Sequence, residues 1–422
     1  MSKVAFLFPG QGSQYAGMAK GLCEAFAEAR ETFEEANDAL GFDLEKLCFE
    51  GSMEELTKTE NTQPAILTAS MAAFRVYMKE VGLEPLFTAG HSLGEFSALC
   101  CAGGIRFADA VKIVRQRGRF MQEAVAIGIG GMAAVGGIER NAVEEECRKA
   151  SERGRTVVVS NYNSPDQIVI SGYLDGVEEV SGKLGSMGAR VVPLKVSAPF
   201  HSPLMQPAAE RLKEELGKYN YGELKYPVIS NVTALPYPGR ESIPDYLARQ
   251  LVQPVRWQAS MEHMQVQGVE LAVELGPQTV LRNLMKKNAP GIRAFSYDNA
   301  SDVQALKKLA AANGQESQGI EGGIAVITRC IAAAVCTKNS NWNEQEYQKG
   351  VVEPYRRIKS LKEELEKEGR LPTVEEVKEA LEMVKSVFAT KGTPMEEQAE
   401  RFNEIFQETG AAARIPGFRM PA

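Results

Sequence analysis

The chain has 422 residues, 44% hydrophobic and 24% charged, which suits one large α/β domain with an appendage or two to three ordinary domains. A formal net charge of -7 argues against a general nucleic-acid surface, and no apolar run reaches the ~18–20 residues of a spanning helix. The seven cysteines are scattered and include no CxxC pair, as expected of reduced thiols in a cytoplasmic protein. Three histidines, His91, His201 and His263, give imidazole chemistry few places and supply no convincing zinc set.

In chain order, Val4 to Phe8 reads as a buried first strand, cut short by Pro9-Gly10 where a leader peptide would continue. A glycine-rich turn leads into a helix over about Met18 to Ala39, and a further helix covers roughly Pro64 to Val81. Leu86 to Ala89 forms a buried strand entering Gly90, with a helix from Glu95 to Cys101 leaving it and another over about Phe107 to Glu123. This βαβ grammar predicts a mainly parallel sheet flanked by helices. From Gly128 to Val196 the order becomes β-α-β-β-α-β, the pattern of a small inserted ferredoxin-like subdomain. Strands at Pro227 to Ser230 and Gly268 to Glu274 return the chain to βαβ elements that end near Ala311. A polar stretch, 312–319, reads as a linker. Beyond it, Thr373 and Glu376 have capping-box spacing, Val374, Val377, Leu381, Val384 and Phe388 share one helical face, and Pro394 opens another helix. Residues 320–422 are therefore an α-helical extension whose apolar stripes need a cover.

The chemical signal is Gly90-His91-Ser92-Leu93-Gly94. A serine between glycines, after a strand and before a helix, has the nucleophile-elbow pattern, with N–H groups at the helix start facing a developing oxyanion. Alone the pattern is also that of an ordinary tight turn. The serine needs a base. His91 adjoins it around a sharp turn and points away, so it lines the entrance or bonds a substrate group. His201, in a rigid Pro199-Phe200-His201-Ser202-Pro203 loop, is the better mount for a base, while His263 reads as structural. Asp166 and Asp175 lie between Ser92 and His201 in the chain, but both sit in the insert and do not support a hydrolase triad. Arg117 stands between Arg115 and Arg119. It is either part of a solvated arginine face, a contact for a phosphate-bearing carrier arm, or a fork for an acyl group ending in carboxylate.

Several segments now add up. Phe8-Pro9-Gly10-Gln11-Gly12-Ser13-Gln14, Thr62-Gln63-Pro64-Ala65, Gly90-His91-Ser92-Leu93-Gly94-Glu95 and Arg117-Gly118-Arg119 are followed by Gly131-Met132-Ala133-Ala134-Val135 and Asn161-Tyr162-Asn163-Ser164-Pro165. Pro199-Phe200-His201-Ser202, Ser230-Asn231-Val232-Thr233, Gln253-Pro254-Val255-Arg256-Trp257 and Glu274-Leu275-Gly276-Pro277 complete the series. Together, over about residues 3–311, they resemble the malonyl-CoA–acyl carrier protein transacylases and the acyltransferase domains of polyketide synthases. The resemblance implies an α/β-hydrolase-like core over 1–127 and 198–311, with the insert at 128–197. It implies Ser92 as acyl-accepting nucleophile, His201 as its base, and the N–H groups of Gln11 and Leu93 as oxyanion hole. Arg117 would bind the malonyl carboxylate, Gln250 would orient His201, and Asn163 would lie near the cleft. Phe200 resembles the malonyl-selecting form of the polyketide domains. Two departures stand out: Gln253 replaces an asparagine found in many relatives, and residues after about 319 have no counterpart in the usual enzyme.

The resulting expectation is ping-pong transfer of malonyl from malonyl-CoA to the phosphopantetheine thiol of an acyl carrier protein in fatty acid or polyketide synthesis. No tightly bound cofactor, metal, nucleic acid or membrane is expected. A polyketide or fatty acid synthase component is a candidate partner of the extension, and the alternatives are an editing hydrolase of the same fold or a docking scaffold.

Overall fold

A computed structural model of the protein describes residues 3–126, 128–194, 196, 198–317 and 322–409. Its strands, in chain order, are β1 (Val4–Phe8), β2 (Pro85–Gly90), β3 (Gly130–Gly136), β4 (Val157–Ser164), β5 (Gln167–Tyr173), β6 (Arg190–Pro193), β7 (Val228–Ile229), β8 (Leu271–Glu274) and β9 (Arg293–Ser296). The chain divides into two compact units, residues 1–307 and 308–422.

In the first unit, β7-β2-β1-β8-β9 form a sheet in that order, and each neighbouring pair is parallel. All five residues of β1 are buried, as a central strand covered on both faces requires. The segment expected to be one helix at 18–39 is two, Lys20–Ala25 and Ala27–Leu40, because Phe26 between them is extended at φ -131°. The helix expected from Pro64 begins earlier, at Thr59, and runs to Glu80. Pro64 therefore lies inside the helix, past the first turn, where it forgoes the bond an N–H would make to the carbonyl four residues back. Two short helices, Leu44–Glu50 and Met53–Thr57, and strand β9 had no clear periodic signal.

The insert folds as its element order implies. Its strands form a second sheet in the order β4-β5-β3-β6, antiparallel throughout, covered by helices Arg140–Glu152 and Leu174–Ser186. Val143, Cys147, Val157, Ile170, Val180 and Leu184 fill the space between.

The stretch expected as a linker is helical through Ser317, at the end of helix Ala300–Ser317; residues 318–321 lie outside the described residues. Its polar residues and glycine mark solvent exposure in sequence equally for a loop and for a helix surface. The second unit holds helices Gly323–Cys336, Glu353–Glu368, Val374–Lys391 and Met395–Thr409 around their own core. Thr373 and Glu376 do form the capping box. Val377, Leu381, Val384 and Phe388 are buried on one face, so the apolar stripe is covered within the unit. Lys391 lends its ammonium to the carbonyls of Ala334 and Thr337 at the end of the first of these helices. Among the described residues no helix is long and apolar enough to cross a membrane.

Candidate active site

The carboxyl end of β2 delivers the chain to Ser92, and its tight turn is made possible by what surrounds it. A Cβ on Gly94 would lie 1.9 Å from the Phe8 carbonyl oxygen, so only glycine lets helix Gly94–Cys101 start directly against β1. Ser92 itself takes φ 51°, a left-handed conformation that costs about 1–2 kcal/mol in a residue with a side chain. Asn231 holds it there: its Oδ1 accepts the Ser92 N–H at 2.7 Å, and its Nδ2 donates to the Gly90 carbonyl at 2.7 Å.

Ser92 Oγ lies 2.7 Å from His201 Nε2. The histidine is also left-handed, at φ 57°, and its Nδ1 donates to the main-chain carbonyl of Gln250 at 2.7 Å. That bond fixes the tautomer with a bare Nε2 toward the serine. Gln250 was expected to stand in for a carboxylate; it is its carbonyl that meets the ring, while its side chain does other work. Burial first, then the Arg117 charge, pushes His201 down to about 3, so the ring is neutral at physiological pH and free to take a proton.

Arg117 separates from its neighbours. Arg115 lies over the Phe42 ring and Arg119 pairs with Glu60, but Arg117 is only 1% exposed. A Cβ on Gly118 would lie 2.6 Å from the Thr59 carbonyl oxygen, so glycine brings helix Phe107–Glu123 close against Thr59–Glu80 and sets Arg117 beside Gln63. Its Nη1 donates to Gln63 Oε1 at 2.9 Å, and its Nη2 donates to Gln250 Oε1 at 2.9 Å and to Ser92 Oγ at 3.2 Å. Among the described residues no carboxylate lies within ion-pair distance of it. Burial lowers it to about 9, leaving it cationic at neutral pH. A buried cation held by two neutral amide oxygens beside a nucleophile is a receptor for an anion.

Behind these groups sits a buried acid with no role in the sequence reading. Glu95 accepts from Gln250 Nε2, Tyr237 Oη and the Asn231 N–H. Burial raises it to about 7 against those hydrogen bonds. It does not touch His201, so it is no triad acid; it braces the two residues, Asn231 and Gln250, that hold the serine and the histidine.

The serine opens into a cavity of about 250 Å³ lined by Gln11, Leu93, Arg117, Asn163, Phe200 and His201, with Met121 and Met132 among its apolar walls. Among the described residues no hydrogen bond engages the N–H of Gln11 or of Leu93. His91 also lines the cavity, and its Nε2 meets Asn163 Oδ1 at 2.8 Å across the subdomain cleft. His263 packs against the Phe87 ring, away from the cavity. Asp166 is engaged by Lys287 and Asp175 by Arg155. Gln253, the unusual residue before Pro254, gives its N–H to the Arg249 carbonyl. No group of three or more His, Cys, Asp or Glu side chains able to hold a metal occurs among the described residues.

A parallel sheet that presents a serine elbow to a neutral histidine is the make-up of an acyl-transfer domain, and residues 5–307 match the family model for the acyl transferase domain. A malonyl CoA-acyl carrier protein transacylase of Escherichia coli K12 is 45% identical over 310 residues, 73% of this chain and 100% of that one. One of Bacillus subtilis is 39% identical over 398 residues, 94% of this chain and 99% of that one. A solved malonyl-transacylase, in complex with its type II polyketide acyl-carrier protein, has 41% identity and a TM-score of 0.71, covering 73% of this chain and 100% of that one. The chain belongs to the malonyl CoA-acyl carrier protein transacylase family. The Bacillus subtilis match is too long to stop near residue 319, so the C-terminal residues, absent from the usual enzyme, have a counterpart there.

Proposed function

We propose that the protein moves a malonyl group from coenzyme A to the phosphopantetheine thiol of an acyl carrier protein through an ester on Ser92. The observation that carries the choice of malonyl is Arg117, a buried cation without a carboxylate partner, 3.2 Å from the nucleophile. His201 Nε2 takes the Ser92 proton as Oγ attacks the thioester carbonyl. The N–H groups of Gln11 and Leu93 receive the oxyanion, and Arg117 holds the far carboxylate. The C–S bond breaks, and the proton on His201 passes to the departing thiolate of coenzyme A. In the second half the carrier thiol gives its proton to His201 and attacks the ester; Ser92 leaves and recovers that proton.

Phe200 and Met121 line the cavity and on this reading confine the acyl group to a short chain, while His91 and Asn163 brace the cleft. The carrier protein belongs to fatty acid or polyketide synthesis, and a reducing cytoplasm suits the seven unpaired cysteines. The separately packed C-terminal unit is the part available to a synthase component.

Intact-mass analysis after incubation with malonyl-CoA, with and without holo carrier protein, tests the reading. A Ser92 adduct that persists in buffer and is discharged by carrier supports transfer. Rapid discharge to water would instead indicate an editing hydrolase, and the absence of any adduct a scaffold.

A further inference from the structure

The Glu274-Leu275-Gly276-Pro277 segment has no part in the chemistry just described, yet it ends in an anomaly. Gln278, exposed and not glycine, takes φ 68°. An exposed turn residue relaxes from a left-handed conformation unless its surroundings hold it. Three bonds hold this one. Its N–H donates to Asp298 Oδ2 at 2.7 Å, its carbonyl accepts from Ser296 Oγ at 2.6 Å, and its Nε2 donates to the Ser13 carbonyl at 3.1 Å.

The last of these reaches the loop that carries Gln11. Asp298 reaches the same loop independently, accepting from Tyr15 Oη at 3.0 Å. Inside the loop, Ser13 bonds back to the Gly10 carbonyl through both its N–H at 3.3 Å and its Oγ at 2.9 Å. A tether on Ser13 is therefore passed within one turn to the peptide between Gly10 and Gln11. The turn is itself anchored, because buried Glu274 accepts the N–H groups of Leu281 and Arg282 at 3.0 and 2.9 Å. Those N–H groups begin the helix whose Leu281 and Leu284 line the cavity.

We propose that Gln278 is a positioning residue for acyl transfer: together with Asp298 and Tyr15 it fixes the Gly10–Tyr15 loop so that the Gln11 N–H stands where the oxyanion forms. This rests on the reading of Gln11 as an oxyanion donor. A donor left free to drift is worth less in the transition state than in a preorganised site, whichever acyl group is bound. Loosening the tether therefore lowers the acylation rate and leaves the choice between acyl groups to Arg117.

The test compares Gln278→Ala, Gln278→Gly and Tyr15→Phe in the full-length protein, using single-turnover acylation by malonyl-CoA and by acetyl-CoA together with thermal unfolding. Each variant is expected to acylate at least about fivefold more slowly with both thioesters, with the malonyl-to-acetyl ratio unchanged. Gln278→Gly separates positioning from mere structure. Glycine relieves the left-handed strain, so this variant is expected to unfold no earlier than Gln278→Ala while acylating as slowly. Wild-type rates in Gln278→Gly and Gln278→Ala overturn the proposal, as does a slowing that tracks loss of folded protein. Replacing the Gln11 amide by a backbone ester is the companion arm. An unchanged rate in the ester protein refutes Gln11 as a donor; a slow ester protein beside normal Gln278 variants refutes the tether alone.

Discussion

Removing the Asn231 amide asks how much the elbow depends on a clamp from another segment. Asn231 is 1% exposed, and Asn231→Ala strands the Ser92 N–H and the Gly90 carbonyl it now satisfies. An unpaired buried group costs about 1–3 kcal/mol, so the pair sums to about 2–6 kcal/mol. A water entering the vacated space recovers part of this, leaving an expected loss of about 2–4 kcal/mol. The chemical loss is larger than the folded fraction accounts for. Ser92, freed at its N–H, relaxes from φ 51° and swings Oγ away from His201, a misplacement worth about 100-fold in acylation rate. Urea unfolding read from Trp257 checks the first figure; the only other tryptophan, Trp342, is 89% exposed and is changed to Phe in the background. Rapid-quench acylation checks the second. A loss under about 0.5 kcal/mol together with wild-type acylation refutes the clamp.

Arg117→Ala removes two charge-assisted hydrogen bonds of about 1.5–3 kcal/mol each, so the malonyl-to-acetyl ratio of kcat/KM should fall by about 100-fold or more; an unchanged ratio removes Arg117 from acyl selection. His201, held down to about 3, should show neutral ring signals by NMR from pH 8 to 5, and a midpoint near 6.5 would contradict its burial. The sign for stability follows: the unfolded histidine binds a proton below about 6.5 and the folded one does not, so its contribution is lost as pH falls from there toward 3. Gly94→Ala forces a Cβ against the Phe8 carbonyl oxygen and should cost the catalytic unit about 1–3 kcal/mol or more, read by calorimetry. In the C-terminal unit, Phe388, edge-on to Phe402 at 5.7 Å, is fully buried; Phe388→Ala should destabilise that unit by about 3–5 kcal/mol, seen as an earlier transition in circular dichroism.

Much of this architecture was legible because its signals are local. The elbow needs small residues beside Ser92, the ferredoxin-like insert declares itself by element order, and the Thr373–Glu376 box by spacing. What escaped depends on residues meeting across the fold. Gln63, Glu95 and Asn231 all stood inside quoted motifs, but a carboxylate or amide in a motif has no assignable task until its partners are known. Gln250 was read as orienting His201 without an atom to do it, because sequence does not distinguish a residue's carbonyl from its side chain as the acceptor. The split of the three arginines is also a matter of packing: a helix of that composition reads as a solvated face until Gly118 draws one side of it inward. That helix Ala300–Ser317 runs into the polar, glycine-containing stretch was not legible, since such sequence is as compatible with a helix end as with a loop.

The order of the main sheet bears on how the protein is made. β1, five consecutive apolar residues, leaves the ribosome long before β8, beginning at Leu271, which completes one of its edges. At ~5–20 residues per second that edge waits roughly 13–50 s for its neighbour. An unpaired apolar edge is a template for wrong pairing, so the nascent enzyme carries an exposed apolar strand edge until β8 arrives. The demand on chaperones therefore lasts until β8, near the end of the catalytic unit, has been made.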